Sequence, residues 1–469
     1  MAGRHRRLSM RHALAVVAGA LLGVGALYVP DRVENLAGPA TPLAFLLAAA
    51  GGLALSVGYA VFLSGPLGDS GGGGYLHLSR TWRSRALGFL AIWPKPAAYA
   101  ALVALLAEYL AGFVPLPAPD GVVALALLGG LLVVHLVGPV AVGRLGLVLS
   151  AGFTLFLVVL VAAGLTAVVL GNFFPLLPTP TLRERPVLSV GRATLVALFG
   201  FVGFEAIAAL AGEVRSPRTT LPRALVSGVA AAGLLATAMA FVTLGVIPWP
   251  RLVFAQAPFV DAAASGLGVA TALLLPPGIV AGTLAALVTL SWPATRALAG
   301  LGEVIPPLAH TNRFGAPDLA CVVVFGLAAG LVAADAAFVA LYLAVPGLLA
   351  LYVAHGLTTA ALPVVNPELY AASEFRPPPR LLALTGLTGA GLAGLLLWQS
   401  LTLDPAVVLG YTRVGPTVAG PAADPLVVDP LRSVVPALVG WETVGVLVYV
   451  AARDYREEVG VELEPLTRF

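Results

Sequence analysis

Charge is the scarcest property of this 469-residue chain: Asp, Glu, Lys and Arg make up 10% of it, against 59% hydrophobic residues. A soluble globular chain carries about a quarter charged residues, and with a mean hydropathy of +0.97 this length has no charged surface to offer water. Soluble enzymes, nucleic-acid binders and disordered scaffolds are excluded together. Cysteine is nearly absent. Cys321 stands alone, so neither an internal disulfide nor a paired-cysteine metal site or redox dithiol can form. The six histidines are scattered, and no metal or cofactor is expected. Lysine occurs once, as Lys95, against 25 arginines. The formal charge of +3 is spread thinly and follows membrane topology rather than an anionic partner.

What the chain has instead is long apolar runs. About 20 apolar residues cross a bilayer as a helix, because lipid offers backbone amides no partner and a helix satisfies them internally. Twelve such spans are expected, at 13–30, 41–64, 86–113, 121–140, 143–170, 191–211, 222–247, 267–299, 317–334, 336–361, 380–400 and 433–452. The fold class is therefore an all-α integral membrane protein. The N-terminal MAGRHRRLSMRH is basic but leads to no A-x-A cleavage signature, so the first run reads as a span and not as a removed signal peptide.

An even number of spans puts both termini on one side, and arginine tells which. With the N-terminus inside, eighteen arginines fall on the inner side and seven on the outer; basic residues are retained on the cytoplasmic side. The expectation is a multi-pass cell-membrane protein with both termini cytoplasmic. Residues 1–12 and 453–469 form its cytoplasmic ends.

Proline and glycine mark the connections, as in LGNFFPLLPTPTLRERP (170–186) and in the segment Leu403 to Arg432, which is expected to cap the outer face. Between Gly65 and Arg85, GDSGGGGYLHLSRTW holds four consecutive glycines followed at once by Tyr75, Leu76, Leu78 and Trp82. That order suggests a tight backbone path against the helices rather than a free tether.

Glycine also interrupts two spans. The first contains GALLGVGALYVP with Gly23 and Gly25 flanking Val24; the sixth contains ALFGFVGFEAIAALAGEV with Gly200, Gly203 and then Glu205. In inverted-repeat transporters, interrupted helices in corresponding positions carry the substrate, their freed amides facing an anion and their freed carbonyls a cation. Helices one to five (13–170) and six to ten (191–361) would be the two repeats, with helices eleven and twelve (380–452) added. Close helix packing is the other use of such glycines.

After the sixth span, GFEAIAALAGEVRSPRTTLPRAL (203–225) couples Glu205 to an inner loop where Glu213, Arg215, Arg218 and Arg223 cluster around Pro217 and Pro222. This stretch resembles the amino acid–polyamine–organocation superfamily, whose sixth helix and following loop read G-F-E, then E-V-x-x-P, then I/L-P-R. Other stretches agree in order and spacing. Gly23-Val24-Gly25 is similar to the family's G-S-G with Val24 in place of Ser; Gly38-Pro39-Ala40 opens the second helix; Gly72 to Tyr75 resembles G-G-x-Y. Gly88 to Trp93 resembles G-F-x-x-G-W with Ile92 in place of Gly, and Arg296 and Asn312 to Pro317 are similar to S-R and N-x-x-x-x-P.

The resemblance implies a five-plus-five inverted repeat with discontinuous helices 1 and 6, working as an alternating-access secondary transporter, and not an enzyme. Its commonest substrates are amino acids. Carried over by residue, the backbone at Gly23, Val24 and Gly25 would take the substrate carboxylate, and the break at Phe199, Gly200, Phe201 and Gly203 its ammonium. Phe199 stands where relatives place an aromatic gate, and Glu205 matches the glutamate that ties the broken helices together or takes part in proton linkage.

Charges within the bilayer cost at least roughly 2.5–3.5 kcal/mol each, so each needs a reason. Lys95 lies ten residues past Arg85, about 15 Å into its helix at about 1.5 Å per residue. Pro94 and Pro96 should leave the carbonyls of Leu90 and Ile92 free as acceptors beside it. Two readings follow: Lys95 is desolvated and either carries the coupling proton or pairs with substrate carboxylate or Glu205, or its stem snorkels to the inner interface. Some proton-coupled relatives have a lysine in the fifth helix. The matching GRLGLVLSAGFTLF (143–156) has none, with Phe153 or a neighbour there, which leaves Lys95 as the substitute. Glu108 reads as interfacial, and His135 and His355 as hydrogen-bonded packing residues. Thr283, Thr289 and Ser291 could ligate sodium or bond their own backbone.

A proton-coupled amino acid transporter is the leading expectation, with protons rather than sodium as the coupling partner. A polyamine, amine or inorganic cation carrier is disfavoured because Lys95 would repel a multiply cationic substrate; sodium coupling and pure exchange stay open. A channel would need a continuous polar lining. A hydrolase would need a constellation that Cys321 lacks, and no HExxH occurs.

Overall fold

The computed structural model describes residues 7–25, 29–114, 116–177, 186–252, 262, 269–402, 430–464 and 466. Among these the regular secondary structure is helical, apart from one isolated parallel bridge between Leu8 and Val214. Most of the expected outer segment 403–432 lies outside the described residues.

Among the described residues, ten helices are long and apolar enough to cross a membrane, and two shorter apolar ones, Met10–Gly25 and Asp318–Ala333, stand where spans one and nine are expected. In chain order the helices are α1 (Met10–Gly25), α2 (Pro30–Ala37), α3 (Thr41–Leu63), α4 (Gly74–Trp82), α5 (Arg85–Ile92) and α6 (Pro94–Ala111). There follow α7 (Asp120–Val137), α8 (Pro139–Leu165), α9 (Pro186–Phe199), α10 (Pro217–Val246), α11 (Trp249–Leu252) and α12 (Val269–Gly300). The last are α13 (Asp318–Ala333), α14 (Ala337–Val365), α15 (Pro367–Ala371), α16 (Pro379–Thr402) and α17 (Pro430–Glu458).

Proline opens many of these helices because its missing amide hydrogen costs nothing in the first turn, as at Pro139 and Pro217. The expected third span is two helices, α5 and α6, that meet at Trp93 in helical backbone geometry. Pro94 and Pro96 fall in the first turn of α6. The carbonyl of Leu90 is not free, since it accepts the Trp93 amide at 3.3 Å.

The glycine run does more than pass tightly. Gly73, at φ +49°, caps α4, a nine-residue helix. A Cβ at Gly73 would lie 3.4 Å from the Ala209 amide, and one at Gly72 meets Leu76. The run therefore lets α4 dock against the end of the sixth span. Phe45, Tyr59, Phe153, Phe204 and Trp292 fill the interior and are fully buried.

Candidate functional site

Helix α1 ends at Gly25, and α9 ends at Phe199, after which a turn through Gly200 to Gly203 leads into a 3-10 segment, Phe204–Leu210. The glycines of the first and sixth spans touch. A Cβ on Gly25 would lie 2.8 Å from the Gly200 carbonyl oxygen, and one on Gly200 would lie 3.0 Å from the Gly25 Cα. Gly23 instead faces α12, where a Cβ would meet the Gly282 carbonyl at 2.7 Å. Val24 is half-buried between them. Phe199 is half-buried, while Phe201 turns toward Gly52 and, with Leu21, Phe45, Gly25 and Gly200, lines a small apolar cavity.

Gly203 has φ +105°, in the left-handed region that glycine adopts without steric cost. The turn aims its amide at the Glu205 carboxylate, 3.2 Å away. Glu205 Oε2 also accepts the Tyr352 hydroxyl at 2.6 Å, and Oε1 accepts the Tyr99 hydroxyl at 2.5 Å. Lys95 Nζ lies 2.9 Å from the same Oε1. A carboxylate offers about four acceptor directions, so all are taken. Lys95 and Glu205 are 3% and 1% exposed, and charge-assisted bonds of this length are what a buried pair needs to offset its desolvation.

Three elements meet at this carboxylate: α6 through Lys95 and Tyr99, the sixth-span break through Gly203, and α14 through Tyr352. Lys95 and Tyr99 are four residues apart and share a helix face, with Nζ 5.4 Å from the Tyr99 ring centre. Lys95 thus points neither at freed carbonyls nor out to an interface. The two tyrosines were missed in the sequence; the four-residue spacing from Lys95 was the available signal for Tyr99, and none marked Tyr352.

A histidine pair lies on the same side of α14. His77 Nδ1, on α4, is 3.0 Å from His355 Nε2. Tyr59 stacks on His355 with ring centres 3.6 Å apart, and Phe62 stacks on His77 at 4.5 Å. Burial, His355 and Lys95 together hold the His77 imidazole well below the ordinary histidine pKa. His77 too was missed, whereas His135 packs as expected: Nδ1 accompanies the Leu131 carbonyl at 2.8 Å and Nε2 meets Ser291 Oγ at 3.2 Å.

Beyond α4 lies a layer of ion pairs. Glu303 accepts Arg80 through both oxygens at 2.9 and 3.0 Å, Arg85 at 2.7 Å and the Tyr75 hydroxyl at 2.9 Å. Glu213 pairs with Arg296 of α12 at 2.8 Å rather than with its sequence neighbours, and also accepts the Trp292 indole N–H at 3.1 Å. Arg218 binds Asp69 across the α3–α4 connection. Leu8 bonds on both sides of Val214, taking the Arg215 amide at 2.9 Å and donating to Glu213 at 3.1 Å. Thr283, Thr289 and Ser291 donate to carbonyls of their own helix at 2.9, 2.6 and 3.3 Å. Glu108 is half-buried near the end of α6.

The chain matches known transporters. It is 26% identical over 325 residues to a chloroplastic cationic amino acid transporter 9 of Arabidopsis thaliana, covering 64% of this chain and 55% of that one. It is 25% identical over 288 residues to a cadaverine/lysine antiporter of Escherichia coli K12, covering 56% of this chain and 59% of that one. The chain thus spans somewhat over half the length of these curated relatives. The profile of one family covers residues 8–365, most of the sequence. By that match this multi-pass membrane protein belongs to the amino acid permease family, within the amino acid–polyamine–organocation superfamily.

Proposed function

We propose that the chain is a secondary active transporter that carries amino acids across the cell membrane by alternating access, coupled to protons. Twelve spans cross the bilayer with both termini cytoplasmic. Residues 13–170 and 191–361 are inverted repeats, and 380–452 hold two added helices. The substrate carboxylate sits on the backbone at Gly23, Val24 and Gly25. Its ammonium sits at the break of Phe199, Gly200, Phe201 and Gly203. One observation carries this reading: the glycines of the first and sixth spans abut at Gly25 and Gly200, with a buried Lys95–Glu205 pair bonded to the Gly203 amide.

The pair is the coupling group. Its protonated form, ammonium against carboxylate, accompanies bound substrate; release of one proton leaves a net negative site that must be neutralised before the next loaded crossing. Charged groups inside a membrane domain mark proton and ion pathways, and Lys95 and Glu205 are the groups at the break. Glu205 also holds the break closed through the Gly203 amide, so its protonation state and the backbone geometry are tied.

Exchange without proton drive is the second reading, favoured by the antiporter activity named for the Escherichia coli relative. Counterflow tests the carrier itself. Proteoliposomes preloaded with an unlabelled amino acid should accumulate the labelled one transiently and saturably. A flux that rises linearly with concentration and shows no counterflow would indicate a pore and overturn the proposal.

A further inference from the structure

The Glu205 carboxylate is full, and one of its four partners is a cation supplied by the protein itself. Tyr99, Tyr352 and the Gly203 amide take three acceptor positions, and Lys95 Nζ takes the fourth at 2.9 Å. The carboxylate stands at the break where the proposed transport function, on which this inference rests, puts the substrate ammonium. A basic substrate brings a second positive charge into the same space. The acidic group that would neutralise it is already engaged.

We infer that Lys95 is a built-in surrogate for a cationic side chain and that it excludes amino acids with basic side chains from this carrier. The surrogate is held in place. Lys95 is 3% exposed and its ammonium lies over the Tyr99 ring at 5.4 Å, and it is the only lysine in the chain. In the loaded state the pair holds its proton, so Lys95 is an ammonium when substrate is present. Displacing it would leave two cations facing one carboxylate. At an effective dielectric of about 20, like charges about 6 Å apart discriminate against the basic substrate by about a hundredfold. The basic and polycationic substrates named for the relatives therefore do not carry over to this chain. Lys95 is a specificity residue that acts on the substrate's charge.

The test compares labelled leucine and lysine counterflow in proteoliposomes of the full-length protein, read as the lysine-to-leucine ratio within each preparation so that a general loss of activity cancels. Wild type should give a ratio of about 0.01, set by the charge repulsion above. Lys95→Arg, which keeps the cation, should stay low. Lys95→Ala opens space beside a carboxylate that has lost its cation and should raise the ratio tenfold or more, and Lys95→Ala with Glu205→Gln should bring it down again. A wild-type ratio within tenfold of unity overturns the inference without any variant, as does a Lys95→Ala protein that carries leucine and excludes lysine as wild type does. If wild type carries neither amino acid, the transport reading fails first and this inference falls with it.

Discussion

Removing either member of the Lys95–Glu205 pair should destabilise the protein, but not equally. Glu205 has four donors, of which only one is Lys95. Lys95 has Glu205 as its ion-pair partner and otherwise the Tyr99 ring at 5.4 Å. Glu205→Gln leaves a buried ammonium facing a neutral amide, and an uncompensated buried charge of this kind costs about 3–5 kcal/mol. Lys95→Met leaves a carboxylate with three hydrogen bonds intact, and its cost should be nearer the loss of one charged hydrogen bond, about 1.5–3 kcal/mol. The double variant Lys95→Met/Glu205→Gln contains no unpaired charge and should lose less than the sum, with a coupling of about 2 kcal/mol. Thermal melts of all four proteins in one detergent would read the order: wild type highest, Lys95→Met next, Glu205→Gln lowest, the double variant above additivity. Equal melting of the two single variants, or strict additivity, would refute the bonding pattern from which the order is worked.

Three further outcomes are expected. Gly25→Ala places a Cβ 2.8 Å from the Gly200 carbonyl, a backbone contact that must shift, so leucine counterflow should fall more than tenfold while the protein still purifies as a folded species. Glu303→Gln weakens the bonds to Arg80 and Arg85 at a side chain 26% exposed; after screening the loss should be about 1 kcal/mol, read as a small drop in melting temperature that high salt in wild type partly reproduces. The folded pKa of His77 is held below its unfolded value, so the unfolded chain binds more protons as the pH falls below about 6.5, and stability present above that pH is lost below it. Melting temperature should therefore drop from pH 7.5 to 5, and His77→Phe should flatten that slope; an unchanged slope would contradict the buried neutral imidazole.

The long apolar runs were legible because bilayer thickness sets one length for every spanning helix. Of the helices that stand at the expected positions, α10 starts at Pro217 and α17 runs to Glu458, so boundaries moved while order did not. The turn in the sixth span was legible because glycine carries its own backbone signature, as at Gly203 with φ +105°. What joins at the site was harder to read. Lys95 had Glu205 among its candidate partners, but the choice depends on helix rotation, which a run of Ala, Leu and Val does not record. Tyr352 lies 147 positions from Glu205, and nothing local to it marks the contact. Helix α4 was hidden for a different reason: its first residue is the last of four glycines, which read as a loop until the packing of Gly73 on Ala209 gives the run a purpose. The pairing of Glu213 with Arg296 shows the same limit, since three arginines nearer in sequence offered themselves first.

The most direct test of the account is uptake of labelled amino acids into proteoliposomes with and without an inward proton gradient, wild type against Lys95→Met. The account predicts uptake above equilibrium in wild type only with the gradient, and in Lys95→Met exchange without accumulation. Accumulation by Lys95→Met equal to that of wild type would contradict it, and would move the coupling proton away from Lys95.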